Sequence, residues 1–454
     1  MFPIDQPLNR DQCQKARMAR DARFDGAFYI AVKTTNIFCR PICPANLPKE
    51  ENVEYFHDQS QALNAGYRPC LRCRPDSAPR SYAWKGVETT FERAINLIEQ
   101  GALREGSLSQ LAERLGISDR YLRQLFKRYL GVSPKQYALY HQLMFAKQLL
   151  HQSKMSITDI AFASGFRSVR RFNDAFLKTL QLSPSQIRGK TAVGDSSHQI
   201  LLTFKGRIDW DRTLDFYRLR AVEGIEKVDD VSYERHACIG DTKAWIRVQK
   251  ATDHSLLLEY KIEDITRLNL LVRRVRRVFD LDVDLTSVEK HLLHVSPKLV
   301  RYSGIRIPGV WSTWEAGVRA ILGQQVSVKA AITHLNHLVS NLGDGDNHAF
   351  PTPQQVRDGD VSFLKMPNSR KETLQRLASW VCDNPEGSVS DWLTLKGIGP
   401  WTVNYALLRG QSESNRFLSD DLVVKHALKK FPELNAETVS PWGSYATLHC
   451  WSHA

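Results

Sequence analysis

Apolar positions recur at helical spacing through the middle of this chain, and the pattern occurs twice. "SLSQLAERLGIS" from Ser107 aligns with "SITDIAFASGFR" from Ser156. After one extra residue, "LRQLFK" answers "FNDAFL", and "GVSPKQY" (131–137) answers "QLSPSQI" (181–187). Each copy predicts a helix, a tight turn at Gly116 or Gly165, and a second helix. Ala112 and Ala161 precede those glycines by one helical turn, where a small side chain lets two helices cross closely. The second helices are predicted at "DRYLRQLFKRY" (119–129) and "SVRRFNDAFLK" (168–178). Arg120, Arg123, Lys127 and Arg128 stud the first; Arg167, Arg170 and Arg171 open the second.

Elsewhere the pattern changes. Residues 198–285 set strand-like runs ("QILLTF", "HSLLLEY") against an amphipathic helix near 264–280, an α+β arrangement. "RIPGVWSTWEAGVRAILGQQVSVKAA" (306–331) reads as a helix start and a strongly helical run. "LTLKGIGPWTVNYALLRG" (393–410) reads as helix, G-I-G turn and helix, a helix-hairpin-helix. Two stretches without apolar period, "RPDSAPRSYAWKG" (74–86) and "RGKTAVGDSSHQ" (188–199), read as linkers. The expectation is a multidomain α+β chain. It comprises a small cysteine-containing α/β unit (1–80), an all-α tandem helix-turn-helix domain (85–188), an α+β subdomain (198–285) and a helical helix-hairpin-helix domain (286–454).

Charge gives the middle segment a partner. The formal balance is +13, from 62 Lys and Arg against 49 Asp and Glu. Residues 1–80 hold 12 basic and 9 acidic side chains, 81–190 hold 17 and 8, and 191–454 hold 33 and 32. The excess therefore sits on the predicted tandem motif, as a polyanion-binding module requires. A helix-turn-helix places its second helix in the DNA major groove. With the "SP" after each second helix, the pair resembles the AraC-family DNA-binding domain over roughly 85–188. Arg120, Arg123, Arg170 and Arg171 are the candidate DNA-contacting residues.

No apolar core follows a basic start in "MFPIDQPLNRDQCQKARMARD", and "LNLLVRRVRRVF" is broken by arginines, so neither a signal peptide nor a membrane span is expected. The expected setting is cytoplasmic, or nucleoid-associated in a bacterium, where paired cysteines suggest metal or reactivity over disulfides. Cys39 and Cys43 form a CxxxC, and Cys70 and Cys73 a distant CxxC, which suits a tetrahedral zinc–thiolate site. On spacing alone an inert zinc staple is the favoured reading. The wider string "FDGAFYIAVKTTNIFCRPICPA…ENVEYF…ALNAGYRPCLRCRPD" resembles the methyl-phosphotriester repair domain of the Ada family. That resemblance implies one zinc ion per chain held by Cys39, Cys43, Cys70 and Cys73, with Cys39 the methyl acceptor. Ligation holds a thiol as thiolate. Four thiolates on Zn²⁺ carry −2, falling to −1 on methylation, so repulsion from DNA falls as repair proceeds. Arg40, directly after Cys39, is expected to contact phosphate. The "PCHR" motif of the family's guanine-repair activity is absent, and that activity is not expected. Cys13, Cys238, Cys382 and Cys450 read as small buried hydrophobes.

The C-terminal string "RIPG…GVRAILGQQVS…GIGPWTVNYALLRG…FLSDDLVVK…PWGSYATLHCW" resembles the AlkA family of alkylbase DNA glycosylases over about 200–454. The resemblance implies a catalytic Asp421, a base pocket of Trp401, Tyr405 and Trp451, and DNA contact at Gly397 and Gly399. Before an apolar helix, aspartates also cap; with the resemblance, Asp420 takes the purely structural part. A flipped N-alkylpurine is cationic, and aromatic faces favour it by ~0.5–2 kcal/mol each. Asp421 would oppose positive charge growing on the sugar. Gln325 stands where the family's wedging leucine is expected, and Lys396 where proline is frequent. Trp401 stands where related lyases carry lysine, so a monofunctional enzyme is expected. Together the parts predict a methyl sensor, promoter-binding activator and alkylpurine glycosylase on one monomeric chain, acting on double-stranded DNA and touching RNA polymerase. The alternative is a DNA-binding regulator with structural zinc and an inactive glycosylase-like domain.

Overall fold

A computed structural model describes residues 9–21, 24–73, 75, 89–188, 198–343, 349–385 and 387–453. The described residues form two compact units that divide between Ser197 and His198. The stretches expected as linkers fall largely outside the described residues. No described helix is long and apolar enough to cross a membrane.

The first unit begins with the helix Arg10–Met18, started by an Asn9–Gln12 capping box. Four short strands follow: β1 (Tyr29–Val32), β2 (Ile37–Cys39), β3 (Val53–Phe56) and β4 (Arg68–Pro69), in the sheet order β3-β1-β2-β4. β1 is antiparallel to β2 and β3, whereas β2 and β4 run parallel with Phe38 opposite Pro69. That parallel register brings the next residues, Cys39 and Cys70, to the same end of neighbouring strands. The apolar cores here are small, built on Phe28, Phe38, Val53 and Ala62. A core of that size gains from a metal cross-link.

The helical part repeats itself. Ser107, Ser118, Ser156 and Ser168 cap the helices Leu108–Arg114, Asp119–Leu130, Ile157–Ala163 and Val169–Leu180 with side-chain oxygens. The "SP" pairs start the helices that follow: Ser133 caps Pro134–Gln152, and Pro184 opens Pro184–Arg188. Leu122, Leu125, Phe126 and Leu130 bury one face of Asp119–Leu130; Phe172, Phe176 and Leu180 do so for Val169–Leu180. The long helix Pro134–Gln152 also meets the strand-rich part. Its Tyr140 hydroxyl bonds Gln59 Oε1, while Gln59 Nε2 donates to the Tyr29 hydroxyl at 3.0 Å.

The second unit opens with a five-stranded antiparallel sheet: β5 (Gln199–Thr203), β6 (Glu226–Val228), β7 (Ser232–Ile239), β8 (Thr242–Thr252) and β9 (Ser255–Ile262), ordered β5-β9-β8-β7-β6. The sequence pattern revealed only two of these strands. The β7–β8 hairpin is hidden because polar residues at its half-exposed positions dilute the apolar run.

Helices make up the rest. The predicted run over 306–331 is two helices, Thr313–Leu322 and Val328–Leu342, separated at Gly323 and restarted by Ser327 as cap. The first arm of the helix-hairpin-helix is a short 3₁₀ helix, Val389–Thr394, not an α-helix; the second is the α-helix Pro400–Gln411. Helices Thr313–Leu322 and Pro400–Gln411 approach so closely that a Cβ on Gly410 would lie 2.8 Å from Thr313 Cα. A buried ion network ties sheet to helices. Arg235 pairs with Glu226 at 2.7 Å and Glu315 at 2.6 Å, and Arg319 contacts the same two carboxylates at 2.8 Å. Desolvation offsets much of the pairing in such a network, but removing one partner would leave an uncompensated buried charge.

Candidate functional site

The four sulfurs of Cys39, Cys43, Cys70 and Cys73 lie within 4.8 Å of one another. A tetrahedral zinc site with bonds of ~2.3 Å sets its sulfurs about 3.8 Å apart, so the cluster fits the ion and its soft donor set. Cys43 and Cys70 are buried; Cys39 and Cys73 are partly open. Backbone bonds build the cage: Cys70 N–H donates to Phe38 O at 2.9 Å, Cys43 N–H to Arg40 O at 3.0 Å, and Arg40 N–H to Cys73 Sγ at 3.4 Å.

Arg40 does not face solvent. Its side chain is 5% exposed and pairs with Asp25, 3% exposed, with Nε to Oδ1 at 2.6 Å. One terminal nitrogen donates to Cys73 O at 3.3 Å. This corrects the phosphate contact expected for Arg40. A buried, doubly bonded guanidinium braces the cysteine loops and cannot reach a DNA backbone.

Arg120, Arg123, Arg170 and Arg171 are exposed on the helices Asp119–Leu130 and Val169–Leu180, opposite the buried apolar faces. Arg123 makes a loose pair with Asp119 at 3.8 Å on the solvent side. Exposed guanidiniums on the second helix of each repeat are free to meet phosphates or base edges.

In the second unit, Asp421 caps the helix Leu422–Leu428, accepting from Val423 N–H at 3.0 Å and Val424 N–H at 3.3 Å. The cap is thus Asp421 itself. Asp420, expected to carry that role, is exposed and pairs with Lys425 at 3.4 Å. Two indoles also close on Asp421: Trp401 Nε1–H donates to Oδ2 at 3.2 Å and Trp451 Nε1–H to Oδ1 at 3.1 Å. Four N–H donors fix the plane of one half-buried carboxylate. Trp401 stacks on Tyr405, one turn on, with centroids 5.1 Å apart and planes 26° from parallel. Both rings are partly open, a ready surface for a planar base.

The G-I-G turn carries two different glycines. Gly397 has φ +93°, and a Cβ there would clash with the Thr373 side chain. Gly399 has an ordinary backbone, φ −107° and ψ 177°, and a Cβ would meet nothing within 4 Å. Fold explains the first, while neither backbone nor packing among the described residues requires a glycine at the second. Gln325 is exposed with φ +55°, an uncommon conformation for a side-chain-bearing residue. Its neighbour Gln324 ties that turn to the hairpin, Nε2 donating to Gly397 O at 3.3 Å and Thr402 Oγ1 at 3.2 Å. Gln324, Asp25 and Arg409, whose guanidinium bonds the Tyr405 hydroxyl at 2.7 Å, were missed in the sequence. The tandem glutamines offered a signal for Gln324, while nothing local marked the other two.

The chain matches the family described as the metal binding domain of Ada over residues 12–76, a helix-turn-helix domain over 111–190 and the AlkA N-terminal domain over 199–312. A probable bifunctional transcriptional activator/DNA repair enzyme AlkA of Mycobacterium tuberculosis is 32% identical, covering 97% of this chain and 96% of its own length. DNA-3-methyladenine glycosylase 2 of Escherichia coli is 31% identical over 55% of this chain and 95% of its own. The bifunctional transcriptional activator/DNA repair enzyme AdaA of Bacillus subtilis is 31% identical over 40% of this chain and 85% of its own.

Proposed function

This chain belongs to the family of bifunctional transcriptional activator/DNA repair enzymes, and on that premise we propose how its residues divide the work. Asp421 is the catalytic carboxylate of a DNA-3-methyladenine glycosylase. Trp401 and Tyr405 receive the flipped base, and Trp451 holds the carboxylate in place. The observation that carries this reading is the two-indole, two-amide grip on Asp421 beside a stacked aromatic pair.

The C1′–N bond breaks with its electron pair leaving on the purine, and positive charge develops on the sugar. Asp421 opposes that charge and orients the water that completes hydrolysis. Its position at a helix start, between two indoles, denies it rotation during the reaction. With Trp401 in place of a lysine, no amine lies there to attack the sugar, so the enzyme is monofunctional. Exposed Gln325 enters the gap left by the flipped nucleotide, and Gly397 and Gly399 bring backbone N–H groups to a phosphate.

In the first unit, one zinc ion held by Cys39, Cys43, Cys70 and Cys73 would keep the sulfurs as thiolates. Cys39, the partly open sulfur on a strand end, attacks the methyl carbon of a phosphotriester. The S–C bond forms as the C–O bond breaks, and its electron pair stays on the phosphate oxygen. The transfer is stoichiometric, since a thioether has no return path. Arg120, Arg123, Arg170 and Arg171 hold promoter DNA, and a monomer presents the result to RNA polymerase.

The test is base release from methylated DNA by wild type and Asp421→Asn, with mass spectrometry of the Cys39 peptide in parallel. Loss of release with retained methylation is expected. Equal release by the variant, or no methyl on that peptide, would overturn the corresponding assignment.

A further inference from the structure

The aromatic pair of the second unit has charge at both ends. At one end Trp401 Nε1–H donates to the Asp421 carboxylate. At the other, Arg409 donates a terminal N–H to the Tyr405 phenol oxygen at 2.7 Å. Trp401, Tyr405 and Arg409 are successive turns of one face of the helix Pro400–Gln411. The order along it is carboxylate, indole, phenol, guanidinium.

Arg409 is 1% exposed, and among the described residues no carboxylate lies within ion-pair distance of it. Its Nε donates to Pro308 O at 2.8 Å, and its own carbonyl accepts from Val310 N–H at 2.9 Å. Its guanidinium sits 5.0 Å from the Phe216 ring centre, and Arg220 covers the same ring at 3.8 Å. A buried cation without a counter-ion is costly, and natural cores rarely keep one without use. Burial alone would raise the Tyr405 hydroxyl, but the nearby Arg409, with Arg220 and Arg319, pulls it below its ordinary value.

The phenol oxygen is an acceptor toward Arg409, and no acceptor takes its own proton among the described residues. Buried or half-buried hydroxyls normally donate somewhere. A base that enters beside this wall with its edge toward the phenol presents ring nitrogens or carbonyls that can take the proton. Cleavage moves an electron pair from the C1′–N bond onto that base, making each such acceptor stronger in the transition state than before it.

We propose that Arg409 is a positioning residue for base excision that acts through Tyr405, holding the phenol so that its O–H donates to the departing base and backing it with positive charge. The proposal rests on the glycosylase reading above. Asp421 then serves the sugar, which gains positive charge, while the Tyr405–Arg409 pair serves the base, which gains electrons. Both ends of the series favour the same displacement.

Single-turnover base release from methylated double-stranded DNA, with the full chain, tests this. Tyr405→Phe and Arg409→Met should each lower kcat by about 10²-fold, with KM nearly unchanged. The double variant should be no slower than Tyr405→Phe alone, and Arg409→Lys should recover part of the loss by keeping a donor. Should Arg409→Met fail to fold, Arg409→Lys alone and combined with Tyr405→Phe reads the same coupling. Losses that multiply in the double variant, or an Arg409→Met kcat equal to wild type, overturn the proposal. A wild type that releases no base sinks the glycosylase reading, and this one with it.

Discussion

Trp451 donates its indole N–H to Asp421 Oδ1 at 3.1 Å, so an aromatic residue expected to line a base pocket is also a clamp on the carboxylate beside it. The two lie 30 positions apart in the chain, and Trp401 completes the grip from a third element. Trp451→Phe keeps the ring and removes the donor. Base release should fall about tenfold, as for loss of one hydrogen bond to a charged group, while binding of abasic DNA stays unchanged. A fall in binding with unchanged kcat would reassign Trp451 to base stacking alone.

Because Asp421 is both cap and carboxylate, its two roles separate by substitution. Asn caps nearly as well as Asp, whereas Ala does not. Asp421→Asn keeps the cap but turns an amide N–H toward the Trp401 indole N–H, so it should melt slightly below wild type and release no base. Asp421→Ala should lose a further ~1 kcal/mol of stability. Equal melting of the two variants would show that the cap contributes nothing measurable.

Gly397 and Gly399 should part company in the same way. Gly397→Ala forces a Cβ onto Thr373 at a positive φ and should destabilise the hairpin by more than 1 kcal/mol. Gly399→Ala has open space and ordinary backbone, so it should fold as wild type and bind DNA more weakly. Undiminished DNA affinity in Gly399→Ala would remove that turn from the DNA interface.

Arg40 and the helix arginines should differ in salt response. Arg123→Ala or Arg170→Ala should each lower the log–log salt slope of promoter binding by about 1, as lost phosphate contacts do. Arg40→Met should leave the slope alone and destabilise the first unit by about 3 kcal/mol, through loss of the buried Arg40–Asp25 pair. A changed slope in a folded Arg40→Met protein would return Arg40 to the DNA surface.

Two buried groups, Asp280 and His449 of the helix Gly443–Trp451, oppose each other in acid. Burial pushes Asp280 up to about 6, against the pull of Arg306 and the Tyr445 hydroxyl, which donates to Oδ2 at 2.7 Å. The native state therefore holds a proton on Asp280 between pH ~4 and 6 that the unfolded state lacks, and stability falls as pH rises through that window. Burial, with His453 nearby, pushes His449 down to about 4, and neither ring nitrogen has a partner among the described residues. Here the unfolded state holds the extra proton between pH ~4 and 6.5, so stability rises with pH. Each contribution is about 3 kcal/mol, and they nearly cancel. Asp280→Asn should unmask the histidine, making the second unit about 2 kcal/mol less stable at pH 4.5 relative to pH 7 than in wild type. Urea unfolding followed by tryptophan emission reads this, since all but Trp84 lie beyond His198. Identical pH dependence in both proteins would mean Asp280 is ionised throughout.

What the chain's order of residues determined by itself was local. The repeated apolar spacing, the serine caps, the "SP" starts and the cysteine pairs all lie within a few positions of one another, and short-range propensity and chelation geometry decide them. Asp421 could be singled out, but not told from a cap, because both roles occupy the same position before a helix. Tertiary structure decided everything that depended on distant neighbours. It buried Arg40 against Asp25, sent Trp451 to Asp421, broke the 306–331 run at Gly323–Ser327 and set a buried Arg409 behind Tyr405. Whether an arginine meets phosphate or an internal carboxylate depends on which surface packing covers it. That is a property of the folded chain, since the desolvation and pairing energies involved arise only when remote segments meet.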